Sequence, residues 1–281
     1  MKALSLLARR FIAGETAEDA VAVGRRLHDR GIRATFDLLG EDVLDREAAT
    51  RCAEAIKGLI RAIPDGIDRN VSIKLTMMGL DVSEDLCLAL TSGILDVARE
   101  GKAFVRVDME GSKHTDRTLA AFRKLRKNYD NVGIVLQAYL HRTEDDVREA
   151  VARKDRVRLC KGAYKEPPQV AWTRMDDIRA SYRRCARLLL DQGDYPALAT
   201  HDEGLVQDAL DYARGHGIPA ERFEVQMLYG LRPRRWDELV RAGYNVRIYV
   251  PFGTHWLPYF YRRLRERKEN VFFVLRSLLG G

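Results

Sequence analysis

Short apolar segments alternate with longer amphipathic segments along almost the whole chain. The apolar segments are rich in β-branched and aromatic residues and end in glycine or polar residues, which is typical of buried strands. Between them, apolar residues recur every three to four positions, which predicts helices with one buried face. The predicted strands are Ala34–Gly40, Asn70–Gly79, Ala103–Gly111, Asn131–Leu140, Val157–Tyr164, Pro196–Glu203, Phe223–Gly230 and Asn245–Gly253.

Several predicted helices begin with a capping signal. Thr16 and Asp19 have the spacing of a capping box, and Thr143 and Asp146 repeat it. Ser83 is a suitable cap for the helix that follows the second strand. These signals support the helix positions that the apolar periodicity indicates.

The order of elements predicts a (β/α)8 barrel of the α/β class. Eight strand–helix units recur at a spacing of about 25–40 residues, as in closed parallel barrels. A doubly wound open sheet is the alternative, but no GxGxxG sequence follows the first strand. Because no linker interrupts the alternation, we expect one catalytic domain over residues 1–281, with residues 1–33 as a short helical lead-in.

Composition excludes several classes of protein. The net charge of +7 is spread along the chain instead of forming a basic tract, so nucleic acid is not the expected partner. No apolar run reaches the roughly 18 residues of a membrane span. The four cysteines form no CxxC pair, which disfavours disulfides and zinc. We therefore expect a cytoplasmic protein with reduced thiols.

Polar residues lie late in seven of the predicted strands. Barrel enzymes place their chemistry at the C-terminal mouth, where such residues meet. Buried charges need partners or a ligand. With Arg262 and Arg263 of the last helix, the cations outnumber the acids, which predicts an anionic ligand or cofactor. The residues are Lys74, Asp108, Gln137, Arg158, Lys161, Thr200, His201, Glu224, Gln226 and Tyr249.

Neither a metal site nor a cysteine nucleophile is indicated. His201 is the one histidine late in a predicted strand, whereas a barrel metal site usually brings several. Asp108 and Glu224 lie on separate strands beside cations. Cys160 has no histidine near it in sequence, so we interpret it as a core residue.

The last predicted helix carries a candidate receptor for a carboxylate. Tyr259, Arg262, Arg263 and Glu266 are spaced to share one helical face. The planar guanidinium binds a carboxylate through two parallel hydrogen bonds and keeps its charge. An arginine pair alone would favour a solvated basic face, so this hypothesis depends on the polar residues of the strands.

Six segments in order make the chain resemble the proline dehydrogenases, FAD-dependent barrel enzymes that oxidise L-proline to Δ1-pyrroline-5-carboxylate. The resemblance extends from about Arg10 to Leu279. The segments are DLLGE (Asp37–Glu41), IKLT (Ile73–Thr76), VDME (Val107–Glu110), RLCKGAY (Arg158–Tyr164), ATHD (Ala199–Asp202) and the closing stretch from Tyr249 to Arg267.

The resemblance implies a substrate site at the end of the chain. Arg262 and Arg263 would hold the carboxylate of proline together with Lys74. Tyr249 and Tyr259 would form the walls around the pyrrolidine ring.

The resemblance also implies a flavin site and a gate. Asp108 would lie beside the substrate, and Arg158 beside the reactive nitrogen of the flavin. Glu41 would be a gate residue that pairs with an arginine of the last helix. The implied flavin contacts are Met109, Gln137, Lys161, Gly162, Ala163, Thr200 and His201.

Partners and alternatives follow from the same resemblance. It implies a membrane quinone as electron acceptor, and hence peripheral contact with the inner face of the cell membrane. A dehydrogenase of hydroxyproline or another cyclic amino acid stays open, as does a flavin-free barrel that binds a phosphorylated ligand. The segment VFFVLRSLL is apolar around most of a helix, so we expect further N-terminal helices or a partner subunit to cover it.

Overall fold

The computed structural model describes residues 10–40 and 42–266, with side chains up to residue 261. Strands and helices alternate throughout these ranges. The strands are β1 Arg33–Leu38, β2 Asn70–Ile73, β3 Phe104–Val107, β4 Val132–Gln137, β5 Val157–Cys160, β6 Ala197–Ala199, β7 Glu224–Leu228 and β8 Asn245–Phe252. The helices are α1 Ala17–His28, α2 Arg46–Ala62, α3 Glu84–Glu100, α4 Ser112–Arg126, α5 Thr143–Ala152, α6 Met175–Gln192, α7 Glu203–Gly215, α8 Pro233–Arg241 and α9 Trp256–Glu266, and a 3₁₀ turn covers Ala220–Arg222.

The eight strands form a closed parallel barrel. Each strand pairs with the next in sequence, and β8 pairs back with β1 from Arg33–Arg247 to Leu38–Phe252. Helices cover the outside, and apolar side chains fill the space between the two layers. The predicted (β/α)8 fold is confirmed, and the open-sheet alternative is wrong. Within the described ranges, no helix is long and apolar enough to cross a bilayer.

Two of the three predicted capping signals form as expected. Asp19 donates its backbone N–H to Thr16 Oγ1 and accepts the N–H of Thr16, both at 3.2 Å. Ser83 Oγ accepts from the N–H of Leu86. The capping box at Thr143 is wrong, because this residue already belongs to α5 and its hydroxyl donates to the carbonyl of Gln137. A tertiary contact therefore replaces the local one.

Each strand ends earlier than the apolar pattern predicts. After β2, for example, the backbone turns, with the N–H of Met78 donating to the carbonyl of Lys74 at 3.2 Å. Lys74, Asp108, Lys161 and Thr200 each directly follow the last residue of a strand. Because the C-terminal ends of the strands meet at one rim, these side chains are brought together there.

Candidate active site

A cavity of about 690 Å³ opens at the C-terminal rim of the barrel. Its walls come from the ends of the strands and from the loops that follow them. The residues predicted from the sequence that line it are Lys74, Asp108, Met109, Gln137, Arg158, Cys160, Lys161, Gly162, Ala163, Thr200, His201, Gln226, Tyr249 and Tyr259.

Asp108 is the centre of a charged network in this cavity. Its Oδ1 accepts a hydrogen bond from Arg158 Nη1 at 2.8 Å, and its Oδ2 accepts one from the Tyr249 hydroxyl at 2.7 Å. Lys74 Nζ lies 3.5 Å from Oδ2. Burial, together with the negative charge of Asp108, raises the pKa of Tyr249 well above its usual value. The tyrosine therefore remains a neutral hydrogen-bond donor to the carboxylate.

Lys74 lies between two carboxylates. Asp37, which is 1% exposed, accepts a hydrogen bond from Lys74 Nζ at 2.9 Å. Burial alone would lower the pKa of Lys74, but the charges of Asp37 and Asp108 outweigh it and raise the pKa above its usual value. Lys74 thus stays cationic although it is buried.

Arg158 uses one of its three guanidinium nitrogen atoms, Nη1, in hydrogen bonds to the described residues. Its Nη1 is shared between Asp108 and the hydroxyl of Ser72, at 3.0 Å from the latter. The side chain is buried, yet its Nε and Nη2 have no hydrogen-bond partner among the described residues. A buried donor without a partner is unfavourable, so these atoms favour a bound acceptor in the cavity.

The opposite wall, formed by the loops after β5 and β6, is polar and crowded. Asp202 Oδ2 accepts from Arg179 Nε at 2.8 Å and lies 3.5 Å from Lys161 Nζ. Its backbone N–H donates to Thr200 Oγ1 at 3.1 Å. His201 Nε2 accepts the backbone N–H of Leu228 at 2.9 Å, which places the ring proton on Nδ1. Thr200, His201 and the carboxylate of Asp202 thus lie directly before the N-terminus of α7.

Gly162 brings the backbone close to this wall. Its φ of +123° suits glycine, and a Cβ added there would lie 2.3 Å from the ring of Tyr139. The glycine therefore allows the ring of Tyr139 to pack directly against the main chain at this wall.

The sequence profile of the proline dehydrogenase family matches residues 20–276. The chain belongs to the proline dehydrogenase family. Proline dehydrogenase 1 of Bacillus subtilis subsp. natto is 42% identical to it over 273 residues, which cover 97% of this chain and 90% of that protein. The proline dehydrogenase of Deinococcus radiodurans is 38% identical over 281 residues, with coverage of 98% and 91%.

A solved structure supports the same family assignment. Proline utilization A (PutA) from Bdellovibrio bacteriovorus, inactivated by N-propargylglycine, is similar with a TM-score of 0.83 and 29% identity. The similarity covers 92% of this chain and 32% of that longer one. This proline dehydrogenase family member thus corresponds to about a third of the PutA chain.

Two interpretations of the sequence are corrected by the structure. Glu224 is the first residue of β7 and lies inside the barrel, where Arg247 Nε donates to both of its oxygens at 2.9 and 3.0 Å. It does not line the cavity, unlike Gln226 on the same strand. Cys160 lines the cavity instead of lying wholly in the core, and burial raises the pKa of its thiol to about 12.

Some predicted residues lie outside the described part of this family member. Glu41 is not among the described residues, and for Arg262 and Arg263 only the helical backbone of α9 is described. The apolar segment VFFVLRSLL also lies outside. The roles that the resemblance gives to these residues stay predictions.

Four residues of the cavity network were missed by the sequence reasoning. Asp37 carried a usable signal, since it interrupts the apolar run ATFDLLG just as Lys74 interrupts its own strand. Ser72, Arg179 and Asp202 carried none, because a small polar residue in a strand and charges beside a helix are common at ordinary surfaces.

One cluster away from the cavity has ligand atoms close enough for a metal. Donor atoms of Asp42, Asp81 and His114 lie within 4.8 Å of one another. His114 Nε2 is 2.9 Å from Asp81 Oδ2, and Arg117 Nη1 donates to Asp81 Oδ1 at 2.6 Å. Because the protein already supplies partners for Asp81, the cluster is explained by ion pairing.

Proposed function

We propose that this chain oxidises L-proline to Δ1-pyrroline-5-carboxylate, with FAD as the hydride acceptor. Family membership supports the reaction, and the Asp108 network supports its location. The observation that carries the proposal is that Lys74, Asp108 and Arg158 form one ion-pair network inside a 690 Å³ cavity. We further propose that residues 1–281 form a single catalytic domain.

The residues that line the cavity fit a flavin. Arg158 offers two buried donors without partners in the described structure, which suit the acceptor atoms of an isoalloxazine ring. Lys161, Thr200 and His201 lie along the opposite wall, where a phosphorylated chain needs cationic and polar groups. Gly162, which lines the same wall, would contribute its main chain. Met109, Gln137 and Ala163 would complete the binding surface.

The substrate would bind on the Lys74 side of the cavity. We propose that Lys74, Arg262 and Arg263 hold the carboxylate of proline and that Tyr249 and Tyr259 enclose the ring. Each charge-assisted hydrogen bond contributes about 1.5–3 kcal/mol. Asp37 holds the ammonium of Lys74 through a hydrogen bond of 2.9 Å. Glu41 would act as the gate over this side.

The chain would promote the reaction mainly by position and charge. A bound FAD would supply the acceptor for the hydride and for the electron pair that it carries. Arg158 contributes a fixed positive charge where negative charge develops during that transfer. Asp108 orients Arg158, Tyr249 and Lys74 at once, so that substrate and acceptor meet in one geometry.

The electrons must leave the protein after each turnover. We propose a membrane quinone as the acceptor, reached by peripheral contact with the inner face of the cell membrane. Hydroxyproline is a second substrate to measure, because one added hydroxyl group changes few contacts in a largely apolar ring pocket.

Colour tests the proposed function directly. The purified protein should be yellow and should bleach when L-proline is added without oxygen. A Lys74→Met variant should keep the colour but bleach far more slowly at the same proline concentration. L-Alanine, which has no ring, serves as the control substrate. Colourless protein that takes up no FAD, or yellow protein that proline does not bleach, would refute the proposal.

A further inference from the structure

A buried acid next to the active site has no part in the network described above. Glu110 is 3% exposed and lies two residues after Asp108. Both of its carboxylate oxygens accept hydrogen bonds from one residue, Thr76. Oε1 accepts from the hydroxyl at 2.5 Å, and Oε2 accepts from the backbone N–H at 3.2 Å. Glu110 therefore fixes the position and the hydroxyl rotor of Thr76.

The oriented hydroxyl of Thr76 contacts the connection between β1 and α2, of which the structure describes residues 39, 40 and 42–45. A hydroxyl has one proton to donate and two lone pairs that accept. Because the proton points to Glu110, the lone pairs are free to accept, and Oγ1 receives the backbone N–H of Asp42 at 3.1 Å. Asp42 has a φ of +53°, which is unfavourable for a residue with a Cβ. Such a backbone persists where its surroundings hold it.

The same connection forms part of the cavity wall. Leu39 lines the cavity and packs in a small apolar cluster with Tyr259 and Leu231. Its backbone N–H donates to the carbonyl of Phe252 at 2.8 Å. The connection is thus fixed to β8 at Leu39 and to the segment after β2 at Asp42.

We infer that Thr76 and Glu110 are positioning residues, which hold the β1–α2 connection so that Leu39 packs correctly against the Tyr259 side of the cavity. The kinetic part of this inference rests on the proposed function, since Tyr259 is a proposed wall of the proline site. Neither residue touches the ligand in this scheme; both act through the backbone of the connection.

The decisive variant is Thr76→Val, which removes the hydroxyl and keeps the shape. Hydrogen exchange at the Asp42 amide should become about tenfold faster, since its hydrogen bond is lost. The KM for L-proline should rise about tenfold, with kcat and FAD content near wild type. Thr76→Ser keeps the hydroxyl and should restore both values. Glu110→Gln can accept only one of the two bonds and should be intermediate.

Two internal controls separate this role from a general loss of stability. Thr118→Val removes another fully buried threonine hydroxyl, one without a partner in the described structure, and should leave KM unchanged. The amide of Glu47, which donates to Asp45 Oδ1 in the first turn of α2, should exchange at the wild-type rate in Thr76→Val.

Wild-type KM in Thr76→Val, or an unchanged exchange rate at Asp42, would overturn the inference. A lower unfolding temperature with unchanged KM would also do so, because it would show a purely structural role. If Thr76→Val does not fold, the comparison of Glu110→Gln with Thr76→Ser decides in the same way. Failure of the proposed function is distinguishable, since it would appear as wild-type protein that proline does not bleach.

Discussion

Replacing Asp108 by asparagine tests whether the charged network drives the reaction. The Oδ1 atom of Asp108 accepts a hydrogen bond from Arg158, and its Oδ2 atom contacts the hydroxyl of Tyr249 and the ammonium of Lys74. Asparagine keeps one acceptor oxygen, loses the charge and places an amide where Oδ2 faced the hydroxyl and the ammonium. The contact with the Tyr249 hydroxyl then joins two neutral groups, and the attraction between Asp108 and Lys74 disappears.

The size of the effect follows from these contacts. A hydrogen bond to a charged group contributes about 1.5–3 kcal/mol, against about 0.5–1.5 kcal/mol for a neutral one. Adding the lost attraction to Lys74 gives a total of roughly 2–4 kcal/mol. At about 1.4 kcal/mol for each factor of ten, kcat/KM for L-proline should fall by about 30-fold to 1000-fold.

Steady-state kinetics with L-proline, together with the FAD content of each preparation, measures this loss. Tyr249→Phe is the matched control, because it removes one donor and leaves the charges of Asp108, Arg158 and Lys74 in place. Its kcat/KM should fall by less than that of Asp108→Asn, since only one hydrogen bond to the carboxylate is lost. If Asp108→Asn kept its flavin and stayed within threefold of wild type, the network could not be the source of substrate orientation.

Two further predictions concern stability and cofactor retention. The pKa of Glu224 is lowered from 4.5 to about 2, since Arg247 outweighs the effect of burial. Its contribution to folding, about 3 kcal/mol, is therefore fully present above pH ~4.5 and is lost as the pH falls towards ~2. In urea unfolding, Glu224→Gln should show a lower free energy of unfolding at pH 7 and a flatter dependence of that free energy on pH. A pH dependence in acid parallel to that of the wild type would contradict this. Gly162→Ala should fold but bind FAD at least tenfold more weakly, since its Cβ would overlap the ring of Tyr139. Gly58→Ala is the matched control, because Gly58 lies in α2 and nothing is within 4 Å of the added Cβ. Equal FAD affinity in both variants would show that Gly162 does not shape the site.

The barrel could be predicted because its signal is repeated. Each unit contributes an apolar strand and an amphipathic helix, so an error at one boundary leaves the count and order of elements intact. Strand ends were placed too late because the apolar pattern continues into the turns. Leu75 and Met77 are buried although they lie beyond β2, so burial alone does not distinguish strand from turn.

The polar site was predicted less evenly, since a charge within an apolar strand marks the barrel interior and not one of its ends. Asp108 follows the last residue of β3, whereas Glu224 is the first residue of β7. Both interrupt apolar runs, yet one faces the cavity and the other pairs with Arg247 inside the barrel. Only the strand limits separate the two cases, and these limits are the least predictable feature of a sequence.

The structure also changes the electrostatic argument for an anionic ligand. From the sequence, the acids expected at the mouth beside the cations did not include Asp37 and Asp202, which the structure places in the cavity wall. Among the described residues that line the cavity, five cations face four acids, and the closest pairs neutralise one another. The cations are Lys74, Arg158, Lys161, Arg179 and Arg232, and the acids are Asp37, Asp108, Asp202 and Glu203.

Net charge is therefore a weak reason for the cavity to attract an anion. Donors with a fixed direction are a stronger reason. Arg158 combines a charge held by Asp108 with two nitrogen atoms, Nε and Nη2, that lack protein partners in the described structure. Lys74 is likewise held between Asp37 and Asp108, so its ammonium is positioned before any ligand arrives. A ligand gains affinity in such a site because the donors are already ordered before it binds. Asp37 and Asp108 cancel the positive charge of the cavity, but they also fix these donors in place and so make the site selective.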